Sequence, residues 1–283
     1  MSNFRSVNSL YELQNIEFYI LKQLNDFCTT NDLRVYLTDG TLLGAVREKG
    51  FIPWDDDIDV CMSRTDYNKL KDISKGLIGK DCLLIDPESS DYFNGYIPLV
   101  VYNNSKVYSK QFRTNEELKI SISIFVYDGV PQSKFKRWFF LKRIFILRAK
   151  HALCRANFKY AHNRMAKIVG PFLSHFFSTK NVLKYKNKIL KLQQKYPFES
   201  YAFVANIVDS KPKPSVVEKQ KFIDYSEVVF EQEKFKAFSY YDLFLTKFYG
   251  DYMVPPPANK RIPKHSYYGE IDEDFRFIGV LTK

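Results

Sequence analysis

At 283 residues and 33.4 kDa the chain is long enough to bury a sizeable core, as one elaborated domain or a domain plus a lobe. A hydrophobic share of 45% and an aromatic share of 17%, with 25 Phe and 20 Tyr, exclude extensive disorder. The net charge of +11 is local: 17 of the 43 Lys and Arg residues, and none of the 32 acids, lie between Gly129 and Phe198, so the rest carries 26 basic against 32 acidic residues, a balance of −6.

Met1 to Leu10 is polar and lacks the apolar core of a secretory signal. Leu10, Leu13, Ile16, Ile20, Leu24 and Phe27 then recur at helical spacing, predicting an amphipathic helix over 10–27. Asn31-Asp32 ends it. Leu33 to Thr38 alternates like a strand, Asp39-Gly40-Thr41 makes the turn, and Leu42 to Glu48 reads as a short helix. Gly50 and Pro53 punctuate a loop, and Asp57 to Met62 alternates again as a second strand. Ser63 with Asp66 three residues on forms a capping box for a helix running to about Gly76. Further strands are expected at Cys82 to Ile85, Tyr96 to Tyr102 and Lys119 to Tyr127.

After Pro131 the texture changes. Lys134 to His162 and Ile168 to Gln194 read as helices, broken near Gly170-Pro171 and Ser178-Thr179. A Lys/Pro-rich loop at Lys211 to Ser215, a strand near Val228-Phe230, a helix over Tyr240 to Tyr249 and a tail at Pro255 to Pro257 complete the chain. An α/β first half thus precedes a helical, basic second half. No apolar run reaches bilayer length, since Trp138 to Leu147 is interrupted by Lys142 and Arg143. Cys28, Cys61, Cys82 and Cys154 show no ligand spacing, so reduced structural thiols in a cytoplasmic protein are expected.

The chemistry concentrates in Tyr36 to Asp59, YLTDGTLLGAVREKGFIPWDDDID. Backbone N–H groups of the Gly40-Thr41 turn, and the helix N-terminus beyond, suit a phosphate. Period-two alternation would point Asp57 and Asp59 to one face of the second strand. Asp55 shares that parity, whereas Asp56 would face away if the strand persists. Clustered carboxylates with no basic residue between them suit a shared Mg²⁺ or Mn²⁺.

Gly-Thr on one turn and Asp-x-Asp on the next strand resembles the nucleotidyltransferase (polymerase-β-like) superfamily. Gly40 to Arg47 and Gly50 to Val60 are similar, almost letter for letter, to the signature of the LicD/fukutin family. Three more pieces follow in that family's order: Arg64-x-Asp66-Tyr67, then Ile124-Phe125-x-x-Asp128-Gly129-Val130-Pro131, then Tyr249 to Met253 with Pro255-Pro256, Lys260, Arg261 and His265. The resemblance spans roughly residues 10–265. It implies an α+β fold, a nucleotidyltransferase-like core sheet flanked by helices, with a basic helical insertion or second lobe. The expected division is 1–131 for the catalytic core, 132–200 for the basic lobe and 201–283 packing back on the core.

The same resemblance implies a phosphotransferase moving phosphocholine, or a related glycerol, ribitol or ethanolamine phosphate, from a CDP-activated donor to a hydroxyl of a cell-surface glycan. Such in-line transfer needs positioning and charge neutralisation more than covalent help. Asp57 and Asp59 are expected on the metal, Gly40, Thr41 and Arg47 at the donor phosphates, with Asp55 as a further ligand or orienting group. Arg261 and His265 are expected to contact substrate or phosphate; a surface pair between Arg47 and an acid, and an exposed-tail His265, are the bland alternatives. Trp54 reads as a packing anchor. One departure stands out: the family's acid before Ile124-Phe125 is here Ser123. Either Asp128 or another acid substitutes, or metal affinity or activity is lowered; the expected substitute is Asp128, which requires a bend after Phe125 because five residues of regular strand would carry it too far and to the opposite face.

The helix over Lys134 to Arg155 interleaves Phe135, Trp138, Phe139 and Phe145 with Lys136, Arg137, Lys142, Arg143 and Arg148. Interfacial helices combine aromatic and basic residues in this way, so a peripheral contact with the anionic inner face of the cell membrane is expected, suiting a lipid-linked glycan acceptor. Two rivals remain: a nucleotidyltransferase using the basic block on nucleic acid, against which no RNA-binding module is recognisable, and a non-catalytic glycan-binding protein, which Ser123 permits.

Overall fold

A computed structural model of the chain describes residues 4–90, 92–114, 116, 118–161, 164–209, 215–263, 268–273 and 275. It is a mixed α+β fold, as expected. A short strand β1 (Phe4–Ser6) leads to α1 (Leu10–Thr30), where the Ser9 hydroxyl accepts the Glu12 N–H at 3.1 Å and starts the helix. The apolar stripe of α1 is fully buried at Ile16, Ile20, Leu21 and Leu24. Each such side chain contributes roughly 1.5–3 kcal/mol by leaving water. The next strand, β2 (Tyr36–Leu37), is shorter than the expected 33–38, and α2 (Asp39–Arg47) starts three residues early.

The second expected strand begins late. β3 (Asp59–Ser63) leaves Asp55, Asp56 and Asp57 in irregular backbone after the Pro53-Trp54 turn. The capping box holds: Ser63 Oγ accepts the Asp66 N–H at 2.9 Å at the head of α3 (Arg64–Ser74). A short β4 (Leu77–Ile78) precedes β5 (Cys82–Ile85), which has the expected bounds, and β6 (Leu99–Tyr102) starts three residues later than read. The strand β7 (Ser105–Tyr108) follows, and β8 (Ser121–Val130) runs without a break past Asp128. The bend required to bring Asp128 to the acidic strand is absent.

The basic half forms α4 (Lys134–Arg155), α5 (Arg164–His175) and α6 (Val182–Gln193). The first ends earlier than expected because Ala156 turns extended and bridges Phe112. Gly170-Pro171 does not break α5; Phe158 packs against Gly170, where a Cβ would lie 2.3 Å from its ring. Next come β9 (Phe203–Ala205), β10 (Val217–Glu218) and α7 (Lys219–Ile223). Nearly all of the expected 211–215 loop lies outside the described residues. A hairpin of β11 (Tyr225–Phe230) and β12 (Glu233–Phe238), α8 (Tyr241–Tyr249) and β13 (Tyr268–Asp272) finish the chain.

The main sheet runs β10-β9-β8-β6-β5-β4, with β3 parallel to β8 and β2 antiparallel to β3. Along the β3–β8 ladder Asp59 sits opposite Ser123. The largest core cluster extends from Leu13 to Phe275 and joins α1, the sheet and the hairpin. A second cluster packs Phe140, Ile144, Ile189 and Leu192 of α4 and α6 against Val130, Ala205, Ile207 and Val208. All four cysteines are buried and free. No helix among the described residues is long and apolar enough to cross a membrane.

Candidate active site

Strand β2 stops because Thr38 turns out of the ladder into α2, with Asp39 at φ +48°, a left-handed conformation that Asp tolerates better than most residues. Gly40 follows, and a Cβ there would lie 2.6 Å from Asp55 Oδ2, so this glycine lets a carboxylate rest on the turn. Thr41 Oγ1 accepts the Asp59 N–H at 2.8 Å and thereby ties the turn to the start of β3. From the other side, the hairpin turn grips the loop entering the acidic run. The Glu231 N–H donates to the Lys49 carbonyl at 3.0 Å, and a Glu231 carboxylate oxygen accepts the Phe51 N–H at 2.8 Å.

Held in this way, one carboxylate oxygen from each of Asp55, Asp56 and Asp57 lies within 4.8 Å of the others. The expectation that Asp56 faces away is corrected. Residues 55–57 precede the ladder, so the two-residue alternation of a strand does not govern them. Asp55 and Asp56 are buried, while Asp57 and Asp59 are partly exposed. Asp59 stands at the first position of β3.

A fifth carboxylate comes from α1. Glu17 is only 2% exposed, and its Oε2 has no hydrogen-bond partner among the described residues. Burial first, and then Asp57, Asp56, Asp55 and Asp59, hold its carboxyl well above the ordinary carboxylate range. One turn earlier, Gln14 Nε2 donates to the Asp55 carbonyl at 2.8 Å and fixes α1 against the acidic loop. Neither Glu17 nor Asp56 was assigned from the sequence. For Glu17 a signal existed: it occupies the buried stripe of α1, four residues after Leu13 and three before Ile20, where an acid is out of place.

The donor set tests whether a metal fits. Several clustered carboxylates, mostly buried, offer only oxygen, and an orphaned buried oxygen faces the same cluster. This chemistry fits a hard divalent cation such as Mg²⁺ or Mn²⁺.

Beside the acids opens a cavity of about 660 Å³. Glu17, Asp56, Asp57 and Ser123 line it at the acidic cluster, whereas Tyr92, Phe93 and Tyr96 contribute aromatic wall. Further on it reaches His151 and Arg155 of α4. Burial holds His151 at a pKa of about 4, and its Nε2 lies 2.8 Å from the Asn94 carbonyl. The Arg155 guanidinium is paired through two nitrogens with Glu116, at 2.9 and 2.8 Å.

The other expected site residues have varied surroundings. Arg47 donates to Glu48 at 2.7 Å and to the Tyr252 carbonyl at 3.0 Å, so it pins the C-terminal block to α2. Asp128 is fully buried and accepts both Nε and Nη2 of Arg64, at 2.8 and 2.9 Å. It sits five residues beyond Ser123 on a continuous strand, a distance on the order of 16 Å, and is not brought to the acids. Arg261 lies over the Trp54 ring at 5.4 Å and donates to the Pro256 carbonyl, so a guanidinium does reach the acidic loop. His265 lies outside the described residues.

The chain is similar in sequence to known proteins. The family model described as LicD/FKTN/FKRP, nucleotidyltransferase domain, matches residues 32–153. The chain is 28% identical over 269 residues to the lipopolysaccharide cholinephosphotransferase LicD of Haemophilus influenzae, covering 91% of this chain and 96% of that protein. It is also 38% identical over 56 residues, 20% of its length, to an uncharacterized protein of Rickettsia prowazekii.

Proposed function

Starting from a chain that belongs to the LicD family, we propose that it transfers a phosphocholine-type group from a CDP-activated donor to a hydroxyl of a cell-surface glycan. The convergence of Asp55, Asp56 and Asp57 within 4.8 Å beside the Gly40-Thr41 turn carries this reading. On it, Asp57 and Asp59, with Asp55 and Asp56 beside them, would hold a Mg²⁺ or Mn²⁺ ion. Such an ion supplies neutralisation of the phosphate charge. The N–H groups in the first turn of α2, at Gly40 and Thr41, which a helix leaves without an intrahelical acceptor, bind a donor phosphate oxygen. Arg261 approaches the same charge across Trp54. The acceptor hydroxyl attacks the choline-bearing phosphorus in line while the bond to the CMP oxygen breaks, and a carboxylate of the run accepts the hydroxyl proton.

The aromatic wall of the cavity favours choline among the alcohols. Tyr92, Phe93 and Tyr96 line the cavity, and a quaternary ammonium over an aromatic face gains about 0.5–2 kcal/mol. In this scheme residues 1–131 are the nucleotidyltransferase-like core, residues 132–200 form a basic lobe, and residues 201–283 return to the core. The lobe serves the acceptor. Phe135, Trp138, Phe139 and Phe145 of α4 are exposed, as are Phe172 and Phe176 on or beside α5, in a stretch without acids. An aromatic and basic surface of this kind suits a peripheral contact with an anionic membrane bearing a lipid-linked glycan.

The test is release of CMP from CDP-choline, CDP-ethanolamine, CDP-glycerol and CDP-ribitol, with a lipopolysaccharide acceptor and with or without Mg²⁺. Metal-dependent release, greatest from CDP-choline, is expected, and Asp57→Asn should lower it by on the order of a hundredfold or more with an unchanged circular dichroism spectrum. No release from any donor, or parent-like turnover in Asp57→Asn, would reject the proposal. Salt-sensitive RNA binding without CMP release would point to the nucleic-acid alternative.

A further inference from the structure

We propose that the Glu17 carboxylate is a ligand of the same divalent cation, supplied to the site by α1. The inference rests on the metal-assisted reading above and adds a residue that the acidic signature does not contain. Glu17 lies on a different element from the Asp run, 38 residues before Asp55, so its arrival there is a product of packing and not of local sequence. It is 2% exposed and lines the cavity together with Asp56, Asp57 and Ser123. Its Oε2 has no hydrogen-bond partner among the described residues.

That orphaned oxygen is informative in either protonation state. An ionised carboxylate needs donors, and a protonated one needs an acceptor; a buried oxygen with neither costs free energy without return. Placing it next to four aspartates adds like-charge repulsion. A cation removes both costs at once, because it bonds the oxygen and neutralises the cluster. Nothing in α1 packing demands the acid, since Leu13, Ile16 and Ile20 around it are apolar core residues. Along β8, the residue in register with Asp59 is Ser123, a hydroxyl with no charge to offer. Glu17 therefore completes from the helix side a ligand set that β8 leaves short. The Gln14 bond to the Asp55 carbonyl keeps α1 and the acidic loop at fixed separation, as a shared ion requires.

The test is Mn²⁺ binding by the full-length protein in the presence of CMP, read from the electron paramagnetic resonance signal of free Mn²⁺. Parent, Glu17→Gln and Asp57→Asn are compared. We expect Glu17→Gln to bind at least about tenfold more weakly than the parent, with the same circular dichroism spectrum and without the parent's rise in melting temperature on adding Mn²⁺. Parent-like affinity in Glu17→Gln, with weakened binding in Asp57→Asn, overturns the Glu17 assignment and leaves the transferase reading intact. No Mn²⁺ binding by the parent overturns both. Should Glu17→Gln not fold, Glu17→Asp decides, because its carboxylate is withdrawn by one methylene: about tenfold weaker binding supports the assignment, and parent-like affinity overturns it.

Discussion

Asp128 and Arg64 show how a single residue can change meaning between sequence and structure. Both belong to pieces of the family signature, and Asp128 was expected to replace the acid missing at Ser123. Instead the two meet as a two-pronged ion pair at 2.8 and 2.9 Å, with Arg64 also over the Tyr67 ring at 5.5 Å. Such a pair contributes little by existing, but breaking it leaves a buried charge uncompensated, at a cost of about 3–5 kcal/mol. Asp128→Asn should therefore lower the denaturant midpoint substantially while leaving Mn²⁺ affinity within a few-fold of the parent. The reverse pattern, intact stability with lost metal binding, would return Asp128 to the site. Gly40 is the opposite case: its role at the turn was legible, but that Asp55 presses on it at 2.6 Å from any added Cβ was not.

Among elements, α4 and α5 carry the largest consequence. Their buried faces are narrow, with Phe140, Ile144, His151 and Cys154 on α4, and Gly170 and Ser174 on α5. The outward faces hold Phe135 at 70% and Phe172 at 68% exposure, more than a water-facing helix ordinarily tolerates in such number. Lys142 lies over the Trp138 ring at 4.7 Å, so the basic and aromatic groups form one surface. Replacing Arg137, Lys142, Arg143 and Arg148 with Gln should reduce sedimentation with phosphatidylserine vesicles, and raised salt should mimic the change, since each basic residue near an anionic leaflet is worth about 1 kcal/mol. Replacing Phe172 with Ser should weaken binding without changing its salt dependence. Equal sedimentation of all forms, or none by the parent, would end the membrane reading.

At the scale of the whole molecule, distant segments hold α2 and the acidic loop of the candidate site. Arg47 reaches the Tyr252 carbonyl, Arg261 lies on Trp54, and Glu231 grips the loop at Lys49 and Phe51. Strand β13 pairs with β1 on one side and β7 on the other, closing a sheet from both ends of the chain. The Tyr102 hydroxyl and the Asn104 amide both donate to Asp272 at 3.1 Å, and Phe275 packs edge-on to Tyr19 and Tyr102. A chain ending at residue 267 loses the burial of Ile271 and Phe275, roughly 1.5–3 kcal/mol each. Its melting temperature should fall by about 10 °C. An unchanged melting temperature would show that this closure contributes nothing to the fold.

By itself the sequence determined the α+β class, the family resemblance and the window of the candidate site, because each is written in local signals: the stripe of α1, the Ser63 cap, and the Gly-Thr and Asp run. The bounds of β5 and the start of α4 at Lys134 followed from the same short-range rules. Only the tertiary structure decided which acids gather. Period-two logic holds while a strand is in its ladder, and the ladder starts at Asp59, so Asp56 joined Asp55 and Asp57 against expectation. A continuous β8 carried Asp128 away to Arg64, and the packing of α1 over the acidic loop brought Glu17 in. A carboxylate's neighbours across space depend on how helices and strands stack, and pairing of that kind has no signature in the residues beside it.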